Sequence, residues 1–598
     1  MRKIKIGTIV LFLICYAVLN AQVNKSVKQT VEKKENEVAI NYFSKIHSDI
    51  INAKLQVNKL PWAAAQVNSV CIILPSNAGM LTKHSSQVLA RQIKSRCNAI
   101  IVSDRTAELR IELSTDKGIA AESFRIDDGA DGTIRIIGGD ERGLIYGIGK
   151  FLHTSRFDQS SFMPSSWRGT STPEGKVRGM YFATHFNNFY EAAPIGEVQE
   201  YLDDLALWGI NYLLVTFPRW QFTGFNDSAA QHLFVYLRKI MSAAKLNGMK
   251  VGIGVSSNDG FKSTPKEFLR VPVPDPLKRR GNFGVNLDPS NPRAHEMLMR
   301  DWAQLMDQFK DVRLDNIVFA PYDEGGCGCQ KCWPWGARGF PKLCHDLAKI
   351  SRGKFPGIEI VLSTWVFDTP PVGEWEGLAK FLNKGKPWVD YILAGSHEDF
   401  PRYPLDHGVP GGLPLLNFPE ISMWGQDPWG GYGANPLPGR LQRLWNETDH
   451  KISGGFPYSE GLYEDINKVI CSQLYWNGHH STDSIIREYI AFEFSTEVVD
   501  EVAKVIGILE SNHDRKHIGE SAIEAFSLIK QAELKLTAQV LKSWRWRILF
   551  LRTLIDREMF LTKGELKGET LKKAFAELTI LYHAENSHSM PIHPPVIK

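Results

Sequence analysis

The residues best suited to chemistry lie where an apolar run ends. Asn316-Ile317-Val318-Phe319-Ala320 leads straight into Pro321-Tyr322-Asp323-Glu324, followed by Gly325-Gly326. Two neighbouring carboxyls repel when both are ionised, so one of them tends to hold its proton to higher pH. A carboxylic acid that keeps its proton near neutrality is what cleavage at a glycosidic oxygen requires. The paired glycines let the backbone turn sharply past the acids. The bland alternative is an acidic loop or a helix N-cap. The position at the end of an apolar strand favours the chemical reading.

A second catalytic carboxylate has two candidates. Glu420 closes Asn417-Phe418-Pro419-Glu420, and Glu460 sits in Tyr458-Ser459-Glu460-Gly461. A spacing of ~5 Å from Glu324 would imply a covalent retaining mechanism, and ~6.5–9.5 Å an inverting one. Either residue could instead bind a sugar hydroxyl or brace the fold. His185, Arg219, Tyr322, Trp365, His397, Trp424 and Tyr458 also follow apolar runs and are candidate sugar-binding groups, each weighed against a purely structural role. The chain has 16 Trp and 17 Tyr, and aromatic faces pack well on the C–H faces of sugar rings, although many will simply fill the core.

Cys327-Gly328-Cys329-Gln330-Lys331-Cys332, with Cys344 further on, has the ligand count of a tetrahedral zinc site. Four sulfur ligands would leave no open position, so such a metal would be structural. Two disulfides, or free thiols, are the alternatives in an exported chain. Either cross-link would stiffen the loop after Glu324, and the hydrolytic chemistry itself requires no cofactor.

These groups need elements to hold them. From Val177 onward, apolar runs alternate with amphipathic helices, the signature of βα units around a parallel sheet. Eight strands are predicted, over 177–184, 211–217, 250–255, 316–320, 359–364, 389–394, 413–418 and 452–458. Eight such units fit an α/β fold with a (β/α)8 TIM-like barrel, whose site lies at the C-terminal ends of the strands. The segment 397–412 is rich in Pro and Gly and shows no helical spacing. Upstream, 68–157 reads as a small α/β domain with strands over 70–74, 107–113, 123–126 and 133–137 and a helix from Asp140. Residues 158–176 read as a linker, 177–494 as the catalytic barrel, and 495–598 as a C-terminal helical domain.

The helix phrase Asp140-Glu141-Arg142-Gly143-Leu144-Ile145-Tyr146-Gly147-Ile148-Gly149-Lys150-Phe151-Leu152-His153, closing a small strand-rich domain, resembles the accessory domain before the barrel in family 20 β-N-acetylhexosaminidases. Families 67 and 84 have a similar one. The Asp323-Glu324 pair also resembles family 20. That resemblance implies Glu324 as general acid/base and Asp323 as the group that orients the substrate's own acetamido nucleophile. The His-x-Gly-Gly phrase before the pair in that family is replaced here by Phe319-Ala320-Pro321-Tyr322, which points to a related family rather than to family 20 proper.

The bulk properties bound the partners. A net charge of +4 over 598 residues, with no long basic run, argues against nucleic acid. Arg2, Lys3 and Lys5, then the apolar run from Ile6 to Leu19 and small Ala21, read as a signal peptide over 1–21, followed by an extension over 22–67. The expected location is periplasmic or secreted, with no stable membrane insertion after cleavage. The expected partner is an oligosaccharide or polysaccharide containing N-acetylhexosamine. The alternatives are an α-glucuronidase-like glycosidase, which would need basic residues such as Arg219 or Arg402 at the mouth, and a non-catalytic glycan-binding barrel.

Overall fold

The computed structural model describes residues 66–157, 161–186, 188–274, 284–369, 371–383, 388–397, 399–422, 432–584 and 595–598. The expected signal peptide, nearly all of the extension and Trp424 lie outside the described residues.

The N-terminal part is built on strands β1 (Ser69–Ile73), β2 (Ile100–Ile101), β3 (Leu109–Thr115), β4 (Phe124–Asp128) and β5 (Ile134–Gly138). Alternation of buried and half-buried residues along β3 and β4 packs one face of the sheet on a core. A short antiparallel ribbon follows, β6 (Arg156–Phe157) with β7 (Phe162–Met163), and then β8 (Gly169–Ser171). The sheet order is β2-β1-β3-β5-β4-β8, with β4 antiparallel to both neighbours. The stretch expected to be a linker is therefore partly built into the sheet, since β8 hydrogen-bonds along β4. The acid-capped helix spans Glu141–His153, with Asp140 accepting from the Gly143 N–H at 2.7 Å. Its glycines serve close packing: a Cβ on Gly149 would fall 1.9 Å from the Leu207 carbonyl oxygen of a barrel helix.

The barrel is closed and wholly parallel. Its strands are β9 (Val177–Phe182), β10 (Tyr212–Val215), β11 (Lys250–Ser256), β12 (Asn316–Ala320), β13 (Glu359–Ser363), β14 (Tyr391–Ser396) and β15 (Leu415–Pro419), with the eighth position shared by β16 (Gly454–Gly455) and β17 (Tyr458–Ser459). Both pieces of the eighth position pair with β9, and β9 also pairs with β10, which closes the ring. Pro457, which lacks an N–H, stands at the break. Val177, Leu214, Val318, Val361, Leu393, Leu416 and Phe456 fill the barrel interior. Between β14 and β15 there is a single four-residue helix, Tyr403–Asp406, and a 3-10 turn, consistent with the irregularity expected there.

The C-terminal region is helical: Thr482–Glu493, Val499–Ser511, Ser521–Glu533, Ala538–Lys542, Trp544–Leu561 and Glu569–Leu581. The helical spacing over 522–540 predicts one helix there. The chain instead breaks and restarts at Thr537, whose side chain caps the new helix by accepting from Val540 N–H. Buried charges join the parts. Arg178 of β9 donates to Glu122 at 2.5 Å, Arg96 pairs with Glu493 at 2.9 Å, and Arg545 reaches both Asp465 at 2.8 Å and Asp204 at 3.0 Å. Among the described residues no helix is long and apolar enough to cross a membrane.

Candidate active site

β12 delivers its acids at the mouth of the barrel. Asp323 adopts the left-handed conformation at φ 76°, uncommon for a residue with a side chain, and Gly326 follows at φ 113°, where a Cβ would be strained. Asn258, fully buried at the end of β11, clamps this turn: its Oδ1 accepts from Gly326 N–H at 3.0 Å, and its Nδ2 donates to the carbonyls of Gly326 at 3.0 Å and Leu287 at 2.9 Å. Asn286 donates through Nδ2 to the Glu324 carbonyl.

The two carboxyls differ in their proton affinity. Glu324 is half-buried, and its acid strength is pushed down to a pKa of about 8, first by burial and then by the charges of Asp259 and Asp323. The indole N–H of Trp220 opposes this shift from close by, without a well-formed hydrogen bond. Asp323 is raised to about 6 by the surrounding protein, although one side of it is open to water. Asp259, at the end of β11, is buried and raised to about 7, with the Arg219 guanidinium 3.6 Å away working against the shift. Arg219 is buried, and among the described residues its Nε and Nη2 have no hydrogen-bond partner.

A second acidic group faces this one across the mouth. Glu420 is buried, and its Oε1 accepts from the Ser422 N–H at 2.6 Å and hydroxyl at 2.9 Å, while its Oε2 lies 3.8 Å from His397 Nδ1. Glu460 is buried and accepts from the hydroxyls of Tyr458 at 3.0 Å and Tyr463 at 3.2 Å. Burial, then the charges of Glu420 and Glu464, hold Glu460 protonated well above the ordinary range. Glu464 fixes the loop by accepting from the Glu460 N–H at 2.7 Å and the Gly461 N–H at 3.0 Å. Arg440, fully buried, donates to the carbonyls of both Glu420 and His397 and ties the ends of β14 and β15 together.

Aromatic rings line the wall between the acids. Tyr181 stacks on Tyr458 with centroids 5.4 Å apart, Phe418 meets Tyr181 at 5.8 Å and Tyr458 at 6.0 Å, and Trp365 meets Phe418 at 6.1 Å and His397 edge-on at 4.9 Å. Tyr181 feels the charge of Glu324 and Asp323, and Tyr458 that of Glu460 and Glu420, so this wall spans both acidic groups.

The chain matches no protein-family model, and no curated protein matches it. Solved structures do. One is BtGH115A, a family 115 4-O-methyl-α-glucuronidase with specificity for decorated arabinogalactans (TM-score 0.58, 13% identity, 89% of this chain and 78% of that one). Another is a family 89 glycoside hydrolase from Clostridium perfringens in complex with PUGNAc (0.56, 12%, 90% and 66%). A third is the family 20 β-N-acetylhexosaminidase from Streptomyces coelicolor A3(2) (0.51, 12%, 76% and 94%). The likeness is one of fold.

Of the residues singled out in the sequence, Asp323, Glu324, Arg219, Trp365, His397, Glu420, Tyr458 and Glu460 converge on the strand ends around one mouth. His185, at the end of β9, is buried, with its Nδ1 unpartnered among the described residues, and burial lowers its pKa to about 3, so the ring is neutral. Tyr322 departs from the expectation: it is fully buried, its hydroxyl donates to the buried Glu374, and it braces the wall rather than facing sugar. Cys344 also departs from it. That thiol is buried on the helix Gly339–Lys354, outside the cluster, where Asp288 joins Cys327, Cys329 and Cys332 instead. No disulfide forms among the described cysteines. Tyr181, Asn286 and Arg440 carry no signal in the sequence, whereas Asp259 does, by its place directly after the third strand.

Proposed function

We propose that this chain is an exported glycoside hydrolase acting on glycans that contain N-acetylhexosamine, with Glu324 as general acid/base and Asp323 assisting. The observation that carries this is the placement of the adjacent pair at the barrel mouth, on a turn held by Asn258 and Asn286, where burial raises both carboxyls and Glu324 the more. Near neutral pH Asp323, at about 6, is ionised, while Glu324, at about 8, keeps its proton. Two carboxyls pushed apart in this way mark the acid and its charged partner.

The steps follow from that assignment. Glu324 gives its proton to the glycosidic oxygen as the bond to C1 breaks. The carbonyl oxygen of the 2-acetamido group closes on C1, and the Asp323 carboxylate accepts from the acetamido N–H as positive charge develops on that group. Glu324, now ionised, takes a proton from water; the water oxygen attacks C1, the ring opens, and the free sugar leaves. Trp365 and Tyr458 offer half-buried aromatic surface for the sugar rings. The family 89 structure with PUGNAc and the family 20 β-N-acetylhexosaminidase support the amino-sugar reading by their fold and names.

Arg219 favours a second reading. Its buried guanidinium, paired with Asp259 at 3.6 Å, has an Nη2 with no hydrogen-bond partner among the described residues, which suits a substrate carboxylate, as in a uronic acid, and the neighbour BtGH115A is an α-glucuronidase. A uronide has no acetamido group, so a second carboxylate would be needed, and Glu420, held by Ser422, is the candidate.

The test compares the wild-type protein with Glu324→Gln and Arg219→Met on aryl 2-acetamido-2-deoxyglycosides and aryl glucuronides. Release of N-acetylhexosamine, lost in Glu324→Gln, supports the first reading. Activity on glucuronides alone, lost in Arg219→Met, replaces it with the second. Activity undiminished in Glu324→Gln sinks both, and no turnover of any glycoside despite binding of oligosaccharide would leave a glycan-binding barrel.

A further inference from the structure

The turn after Glu324 enters a second cluster that the hydrolytic chemistry leaves unused. Asp288, Cys327, Cys329 and Cys332 each place one ligand atom within 4.8 Å of all the others. Oδ1 of Asp288 is 3.5 Å from Cys327 Sγ, 3.5 Å from Cys329 Sγ and 3.8 Å from Cys332 Sγ. A tetrahedral zinc ion with Zn–S of about 2.3 Å and Zn–O of about 2.0 Å has S···O edges of about 3.5 Å and S···S edges of about 3.8 Å. The oxygen and the three sulfurs therefore already stand near the corners such an ion requires. Cys327 and Cys332 are buried, and all three sulfurs lie around one oxygen of Asp288, with the Ser290 hydroxyl 3.3 Å from Cys329 Sγ.

The local backbone is shaped for the same purpose. Cys329 and Cys332 bracket a tight turn in which the N–H groups of Cys332 and Trp333 donate to the Cys329 carbonyl at 3.0 and 2.9 Å. Gly328 passes so close to the segment around Pro272 that a Cβ would fall 2.2 Å from the Pro272 carbonyl oxygen. The carboxylate is aimed independently: the Asp288 N–H donates to the Phe268 carbonyl at 2.9 Å, and its Oδ1 accepts from the Ser290 N–H at 2.9 Å.

We propose that Asp288, Cys327, Cys329 and Cys332 form a structural zinc site that clamps the loop after β11 to the loop after β12. The fourth ligand is a carboxylate nearly forty residues upstream, not Cys344. Closed by four protein ligands, the ion has no open position for substrate. It supplies stiffness where Glu324 needs it. Asp288 lies two residues after Asn286, which holds the Glu324 carbonyl, and Cys327 lies three residues after Glu324 itself. The metal site stands without the proposed hydrolysis; only its effect on Glu324 rests on that reading.

The test measures metal, not turnover. The full chain is purified under reducing conditions, equilibrated with zinc, desalted and assayed for metal by mass spectrometry. The expected content is about one zinc per chain, and cobalt in its place gives thiolate-to-metal charge-transfer absorption. Cys332→Ser loses the metal. Asp288→Asn, which keeps the volume and a folded circular-dichroism spectrum, weakens zinc binding about tenfold or more. Cys344→Ser retains it. Absence of bound zinc and of the cobalt bands in the wild-type protein overturns the proposal. So does undiminished affinity in Asp288→Asn, or a disulfide among the three thiols in protein isolated from its native compartment. If Cys332→Ser does not fold, Asp288→Asn and the cobalt spectrum still decide. Zinc bound without any glycoside turnover would leave the site standing and refute only the function above.

Discussion

Replacing Glu324 by glutamine should cost activity and gain stability, and the gain should grow with pH. An ordinary glutamate titrates near 4.5, and Glu324 at about 8, because burial and the neighbouring Asp259 and Asp323 disfavour its charge. The unfolded chain gives up this proton early and the folded chain late. The folded state is therefore penalised progressively as pH rises from 4.5 to 8, and not below that window. At ~1.36 kcal/mol per pH unit the penalty reaches about 3 kcal/mol at pH 7 and stays under about 1 kcal/mol at pH 5. The carboxyl is half-buried, so water screens part of this and leaves about 2 kcal/mol at pH 7. Glutamine has nearly the same shape and carries no such penalty. With about 2 cal/mol/K of unfolding entropy per residue over a barrel of roughly 300 residues, 2 kcal/mol corresponds to about 3 °C in Tm. Scanning calorimetry should find Glu324→Gln about 3 °C above wild type at pH 7 and within about 1 °C at pH 5, while kcat falls by ~10²–10⁴. An equal gap at both pH values, or a variant less stable at pH 7, would refute the assignment of a high-pKa carboxyl to this position.

Three further outcomes follow from the same geometry. The pH profile of kcat/KM should be a bell with limbs near 6 and 8, because activity needs Asp323 ionised and Glu324 protonated, and Asp323→Asn should remove the acid limb together with most of the rate. Trp365→Ala should raise KM about tenfold with little change in melting, since it removes a half-buried sugar-facing surface worth roughly 1–2 kcal/mol. Arg545→Met should lower unfolding stability by about 2–3 kcal/mol in chemical denaturation, because Asp465 and Asp204 lose their shared cation and keep only Lys468 and Arg91 nearby.

The barrel was legible because each strand is a run of apolar residues bounded by Gly, Pro or acids, and a buried parallel strand leaves that mark. Seven of the eight strands were placed within two residues at each end, as with Asn316–Ala320. The eighth was read as continuous because Pro457 is a single residue in an otherwise apolar run, and only the ladder shows the break. The acids after β12 were legible because strand-end position carries chemical meaning in this fold. Asp259 carried the same strand-end signal, but its place beside Arg219 and Glu324 shows only in the fold. Asp288 was missed because its partnership with the cysteines depends on two loops meeting, which no local pattern encodes. Tyr322 misled for the converse reason. Its neighbour in sequence points into the mouth, while its own ring turns inward to Glu374. The helix Glu569–Leu581 also went unread.

The segment between the small domain and the barrel has a further role. β8 lies along β4 through Phe124, Arg125 and Ile126, so it covers the hydrogen-bonding edge that β4 would otherwise expose. A shortened protein ending at residue 157 would present that edge bare. Open strand edges recruit other strands, so the isolated small domain should self-associate more strongly than one carried through Ser171, whose edge is the three-residue β8 rather than the five-residue β4. The connection between the two parts is also the guard that keeps the first of them from aggregating.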